Sequence, residues 1–328
     1  MILVLHFLKN SGKIILYPIL CFLSYVWRIL HQFKIMFGRY EKMPIPIVCV
    51  GNITLGGAGK TPTVIFLANY LQKNNIKVHV VSRGYGRKFK DSVLVDQTTH
   101  SAYEVGDEPL LISKYAKVWV SKKKKEGILK AYRAGAELVL LDDGHQNFSI
   151  SKDINILVLD AEVNLATEKI FPVGNLREHP QSAINRADFL ISIGSADLNK
   201  NLEEPFFYNY NDQIIEGKFV PYIIPKLRKR KLVAFCGIGR PEKFFSMLKK
   251  LNLDIIQEYS FPDHHFYSKE QLTKICDLAT KNNALVVSTE KDFVKIPTTF
   301  QRKIHAIGIE LHLSKDKKLL LELKNLVR

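Results

Sequence analysis

The stretch Gly51-Asn52-Ile53-Thr54-Leu55-Gly56-Gly57-Ala58-Gly59-Lys60-Thr61 carries the residue types of a phosphate-binding loop. Glycines let the backbone turn so that successive N–H groups aim at phosphate oxygens. Lys60 is placed to neutralise β/γ charge, and the Thr61 hydroxyl to coordinate Mg²⁺. Residues 45–50 read as a short buried strand before the loop. Residues 61–74 read as a helix after it, with Val64, Ile65, Ala68 and Leu71 at helical spacing. The helix start adds its dipole to the site, and Pro62 is tolerated there because its missing N–H has no partner to lose. One position departs from G-x-x-x-x-G-K-[ST]: Thr54 stands where the pattern has glycine. Thr54 to Thr61 are the candidate nucleotide-binding residues, and ATP with Mg²⁺ is the implied ligand pair.

Such a loop needs a carboxylate for the metal at the end of a neighbouring strand. Leu138-Val139-Leu140-Leu141-Asp142 supplies four apolar residues and then an acid. Asp160 closes the next strand in the same way and is the rival. Asp142 is preferred because Asp143 follows it and Gly144 opens the chain for ligand approach.

The elements that must position these groups alternate strand, loop and helix. Strands are expected at 77–81, 118–120, 137–141, 154–160 and 189–193, and helices at 108–115 and 126–133. That alternation implies an α/β fold, a phosphate-loop parallel sheet with helices on both faces. After the basic residues 226–231 comes a second, smaller α/β unit. It has strands at 232–236 and 284–288 and helices at 241–251 and 269–280. The expected organisation is an N-terminal segment at 1–44, a core at 45–215 and a smaller lobe at 216–328. The boundary lies in the ambiguous stretch 208–220, and the last helix is allowed to pack back on the core.

A chain of 328 residues with 46% hydrophobic residues suits two globular domains. Cys21, Cys49, Cys236 and Cys276 are far apart and form no C-x-x-C, which points away from a zinc ribbon or a disulfide framework. The formal charge of +16 admits nucleic acid, an anionic membrane or an acidic substrate as partner. No nucleic-acid motif is present and aromatics are not interleaved with the basic runs, so nucleic acid is not expected. No obligate protein partner is evident.

The first fifty residues carry six Lys/Arg and one acid, Glu41, beside the most apolar stretch, residues 14–37. Pro18 and Arg28 interrupt that stretch, so it is a poor single span, and no signal-peptide cleavage site follows it. An interfacial helix fits better, with bulky apolar side chains for the acyl boundary and cations for lipid phosphates. A helix packed on the protein's own core is the alternative.

Eight motifs occur in order: V-G-N-I-T-L-G-G-A-G-K-T-P from Val50, S-R-G-Y-G-R from Ser82, G-D-E-P from Gly106 and D-D-G-H-Q from Asp142. G-N-L-R-E from Gly174, G-I-G-R-P from Gly237, F-P-D-H-H from Phe261 and S-T-E-K-D from Ser288 complete them. With these the chain resembles the tetraacyldisaccharide 4′-kinase family. Its members phosphorylate the 4′-hydroxyl of a tetraacylated disaccharide 1-phosphate in lipid A biosynthesis. The resemblance runs from the hydrophobic N-terminus to Asp292. It implies a two-lobed kinase with ATP and Mg²⁺ in the interlobe cleft, held peripherally on the cytoplasmic face of the inner membrane. It also accounts for Thr54, since the family lacks that glycine. Carried onto this chain, it makes Asp107 and His264 the proton-accepting unit, with His264 favoured over His265 because it directly follows the aspartate.

Asp143, His145 and Gln146 are expected to line the same cleft. Glu108 or Asp143 is a further candidate metal ligand; otherwise Glu108 is a helix-start acid that complements the dipole. Arg83 and Arg87 are phosphate-clamp candidates. Arg177 is another, with Glu178 beside it as a candidate substrate contact, or else the two are a surface pair. Lys122, from the run 122–125, is a candidate contact for the substrate 1-phosphate. Lys291 and Asp292 have no evident role. A membrane-recruited ATPase switch is the competing function, although Leu55 stands where such switches carry a signature lysine.

Overall fold

Apolar runs without polar alternation form the middle of the molecule, because strands covered on both faces need no wet side. The computed structural model describes residues 13–89, 91–165, 167–194, 214–222 and 225–327. Residues 1–12 of the N-terminal segment and 208–213 of the ambiguous stretch lie outside them.

Twelve strands make one sheet. They are β1 (Ile47–Gly51), β2 (Val78–Ser82), β3 (Val93–Leu94), β4 (Lys117–Val120), β5 (Leu138–Asp142) and β6 (Ile154–Asp160), then β7 (Phe189–Ile193), β8 (Ile214–Tyr222), β9 (Leu232–Cys236), β10 (Ile255–Ser260), β11 (Leu285–Thr289) and β12 (Ile304–Ser314). Their order is β10-β9-β11-β12-β8-β7-β6-β1-β5-β2-β4-β3. Among the described residues only β3–β4 and β8–β12 pair antiparallel. β1 lies between β5 and β6, with Val50 level with Asp142 on one side and Ile156 on the other. The loop leaving β1 and the acid ending β5 therefore emerge at the same carboxyl edge, where α/β sheets bind ligands.

Helices cover both faces. Val48 and Val50 of β1 pack toward Val64, Leu67, Ala68 and Leu71 of α2 (Lys60–Lys73), whereas Ile47 and Cys49 face a cluster with Ile128 and Ala131. The second unit repeats the plan. Leu232 and Ala234 of β9 meet Phe244 and Leu248 on one face; Val233 and Phe235 meet Leu272 and Ile275 on the other. The long antiparallel pair β8–β12 joins the two halves into one sheet. Leu319 and Leu323 of the last helix, Lys317–Asn325, pack into the core cluster of the first half.

The N-terminal helix α1 (Lys13–Met36) keeps Pro18 within its length. One side docks on the body: Ser24 donates to the Ile170 carbonyl, the Trp27 indole to the Arg177 carbonyl, and His31 Nε2 lies 3.1 Å from Glu178. Ile19, Phe22, Phe33 and Met36, on the opposite side by helical spacing, are each more than half exposed. No helix among the described residues is long and apolar enough to cross a membrane.

Candidate active site

The phosphate loop is organised by a residue that the motif leaves unspecified. Asn52, fully buried, donates through Nδ2 to the Thr54 carbonyl (2.9 Å) and hydroxyl (3.2 Å) and accepts from Lys60 Nζ (3.1 Å). Thr54 is bridged antiparallel to Leu176, and Leu55 N donates to the Asn175 carbonyl at 2.7 Å. The first loop position is thus held like a strand residue, which suits a β-branched side chain and removes the need for glycine. Gly59, by contrast, caps α2 at φ 93°, and a Cβ there would meet Phe219. A Cβ built on Gly56 or Gly57 would meet nothing within 4 Å. Thr61 is the second residue of α2, half-buried.

Asp142 ends β5 and is buried. Its Oδ2 accepts from Ser82 Oγ at 2.7 Å, while Oδ1 is buried with no partner. Burial, then the charges of Glu108 and Asp143, raise its pKa to about 6. A buried carboxylate oxygen with nothing to neutralise it fits a divalent cation. Among the described residues no three His, Cys, Asp or Glu converge into a metal cage. Mg²⁺ binds through one or two carboxylates, substrate phosphates and water. Asp160 does not compete: Arg240 Nη1 and Lys243 Nζ each reach its carboxylate at 2.7 Å.

Asp143 adopts φ 51°, a left-handed turn that swings its side chain to Arg177 Nη1 at 2.9 and 3.0 Å, with Lys60 Nζ at 3.8 Å. Burial would raise its pKa, but Lys60, Arg177 and Lys124 hold it well below the usual carboxylate range. Lys124 was not singled out in the sequence. It is the buried member of the lysine run, and its ammonium donates to the carbonyls of Asp142 and Asp143, pinning the turn. Lys122, the member chosen from the run, is exposed.

Residues beyond β9 complete the site. A Cβ added to Gly239 would come 3.2 Å from Gly57 N, so the Gly237–Pro241 loop lies directly against the phosphate loop. His264, at φ 59°, reaches across to Asp107: Nδ1 lies 3.0 and 2.9 Å from the two carboxylate oxygens. Asp107 is buried, which alone would raise its pKa. The His264 hydrogen bond and the cations Lys291 and Lys295 overcome this and bring it down to about 2. The Tyr85 ring sits 5.3 Å from the His264 ring, at the mouth. His265 turns away: its ring stacks on Phe261 and Nε2 is 3.0 Å from Gln271 Oε1. Glu108 pairs with Lys291 Nζ at 3.0 Å.

Three expected cleft residues serve elsewhere. His145 is fully buried behind Gly51, with Nδ1 on Asn155 and its pKa lowered to about 4 by burial. Glu178 is buried among Arg186, Gln146 and His31, so it fastens α1 to the body rather than facing the cleft. Burial opposes its ionisation, but the His31 hydrogen bond and Arg186 bring its pKa down to about 2. Arg87 donates to the carbonyls of Asp91 and Val120 and braces its own loop. Arg83 is exposed, and Gln146 donates to the Asn52 carbonyl at the loop's base.

A family model described as tetraacyldisaccharide-1-P 4′-kinase, LpxK, matches residues 13–328. The tetraacyldisaccharide 4′-kinase of Rhodospirillum rubrum is 38% identical over 271 residues, covering 82% of this chain and 82% of that one. That of Rhodospirillum centenum is 36% identical over 275 residues, covering 82% and 79%. A crystal structure of LpxK from Aquifex aeolicus in complex with ATP aligns with a TM-score of 0.75 at 28% identity, over 95% of this chain and 98% of that one. With a family match over nearly its whole length and relatives of this identity, the chain belongs to the tetraacyldisaccharide 4′-kinase family, phosphotransferases of lipid A biosynthesis that act on a hydroxyl group.

Proposed function

We propose that this chain transfers the γ-phosphoryl group of ATP to the 4′-hydroxyl of a tetraacyldisaccharide 1-phosphate, with Asp107 and His264 as the proton acceptor. The observation that carries this reading is the Asp107–His264 contact, built from two lobes beside the phosphate loop. The lobes, residues 45–215 and 216–328, act as the two sides of the cleft.

Asp107 accepts the Nδ1 proton of His264, which fixes the ring; Nε2, 3.7 Å from Asp263 Oδ2 and so beyond hydrogen-bond distance of it, takes the acceptor hydroxyl. As that hydroxyl oxygen bonds to the γ-phosphorus, its proton passes to Nε2 and the bond from the γ-phosphorus to the β–γ bridging oxygen breaks. Asp107 stabilises the imidazolium so formed. The loop N–H groups and Lys60 hold the departing diphosphate charge. Thr61 and Asp142 would hold Mg²⁺, which would supply charge neutralisation on the phosphates. Arg177, kept in place by Asp143, supports the same anionic region.

The test uses purified protein, Mg²⁺-ATP and a tetraacyldisaccharide 1-phosphate in detergent micelles. The expected product carries a new 4′-phosphate in step with ADP. ATP hydrolysis without it, from folded protein, would sink the assignment and favour the ATPase switch.

The outward face of α1 supports a peripheral site on an anionic inner leaflet, facing the cytoplasm where ATP is supplied. Phe22→Asp with Phe33→Asp is expected to weaken co-sedimentation with anionic vesicles by roughly tenfold or more. Unchanged co-sedimentation would place the membrane contact on another surface.

A further inference from the structure

The Ser288-Thr289-Glu290-Lys291-Asp292 motif has no task in the reaction as described, yet its aspartate is fully buried. Asp292 gathers three donors and a cation. Gly237 N (3.0 Å) and Thr289 Oγ1 (2.7 Å) donate to Oδ2 and the Tyr267 hydroxyl (2.7 Å) to Oδ1; Lys295 Nζ lies 2.8 Å from Oδ1 as an ion pair, without hydrogen-bond geometry. A carboxylate held on both oxygens is a fixed anchor, not a reactive group. What it anchors is Lys295, whose side chain is completely buried with its ammonium 5.6 Å from the Tyr267 ring centroid. That ammonium also lies 3.7 Å from Asp107 Oδ2, across the cleft.

Burying an ammonium is costly unless anions surround it. Here one anion comes from each lobe: Asp292 from the second and Asp107 from the first. Asp107 is thus gripped from two directions, by His264 Nδ1 and by Lys295 Nζ. Lys291, four residues earlier, makes the parallel crossing to Glu108 and also lies 3.3 Å from Asp263, the residue before His264. Lys291 lies in the short helix Glu290–Phe293 and Lys295 in the turn that follows it, so a single short segment delivers both cations to the adjacent acids.

We propose that Lys295, anchored by Asp292, is a positioning residue for phosphoryl transfer: it fixes the Asp107 carboxylate so that His264 is held with Nε2 toward the cleft. The second lobe thereby supplies the imidazole and also the cation that aligns its partner. This inference rests on the Asp107–His264 reading of the site.

The experiment measures kcat, KM for ATP and KM for the lipid acceptor in Lys295→Met, Lys295→Arg and His264→Ala, and in Lys295→Met combined with His264→Ala. Lys295→Met is expected to lower kcat by about tenfold or more, with KM for ATP within about twofold, because nothing on the phosphate loop changes. Lys295→Arg is expected to recover most of the loss. In the His264→Ala background Lys295→Met is expected to add almost nothing, since groups that act as a unit are not additive. Lys295→Gln keeps a polar side chain beside Asp292 without the charge, and replaces the Met variant if that does not fold. A folded neutral variant with wild-type kcat, or one whose loss is undiminished in the His264→Ala background, overturns the proposal. If His264→Ala itself retains wild-type turnover, the underlying reading of the site fails instead.

Discussion

His264→Ala is expected to slow turnover by ~10²–10⁴-fold with KM for ATP nearly unchanged. The reason is geometric. The imidazole hydrogen-bonds Asp107 through Nδ1 and has Nε2 3.7 Å from Asp263 Oδ2; among the described residues its ion pairs and hydrogen bonds are with these two acids and not with the phosphate loop. Removing it leaves nucleotide binding intact and takes away the acceptor for the hydroxyl proton. Asp107→Asn should fall in the same range. An amide in that place can donate to the ring, which favours the wrong tautomer and leaves the imidazolium without its counter-charge. The double variant should resemble the slower single variant. Steady-state kinetics with the lipid acceptor measure all three. A His264→Ala enzyme that keeps its kcat would move the proton acceptor elsewhere.

The sequence makes some of this site legible and hides the rest for identifiable reasons. The phosphate loop can be read locally, since a strand, a glycine-rich turn, Lys60 and a helix are contiguous. Asp142 can be read because an apolar run ending in an acid marks a buried strand that surfaces at its carboxyl end. The preference for it over Asp160 rests on Asp143 and Gly144; what occupies Asp160 is not legible, because Arg240 and Lys243 reach it from far along the chain. The Asp107–His264 pair is separated by 157 positions, and no spacing rule connects the two; only the family resemblance does.

Lys124 and Lys295 were missed because a buried lysine looks like its neighbours in a chain with 48 Lys and Arg. The signal for Lys295 was its position three after Asp292, close enough in a turn for the two to pair. Glu178 misled for the opposite reason. Its neighbour Arg177 bonds Asp143, while its own carboxylate turns inward to Arg186. In the fold, β10 and β12 left weak traces. β10 is a half-exposed edge strand, and β12 continues for 11 residues with mixed burial, so neither shows a clean period.

Asp142→Asn should make the metal-free protein more stable and the enzyme slower by on the order of 10²-fold or more. The first half follows from linkage. Without metal, the folded state holds the Asp142 proton up to about pH 6, against an ordinary carboxylate value of 3.8. Between those values the folded chain binds more protons than the unfolded one, so stability falls as pH rises. At pH 7 the full penalty applies, roughly 3 kcal/mol for that difference. Asparagine keeps the acceptor for Ser82 Oγ and carries no charge to bury. The unfolding midpoint in the presence of a chelator should therefore rise in the variant at pH 7, and the gain should shrink toward pH 4. The second half follows from the unpartnered Oδ1, which the variant no longer offers as an anion to Mg²⁺. Mg²⁺ with ATP should then stabilise the variant less than the wild type, since ligand binding adds stability in proportion to affinity. A variant that is no more stable without metal and phosphorylates at the wild-type rate would remove Asp142 from the metal site.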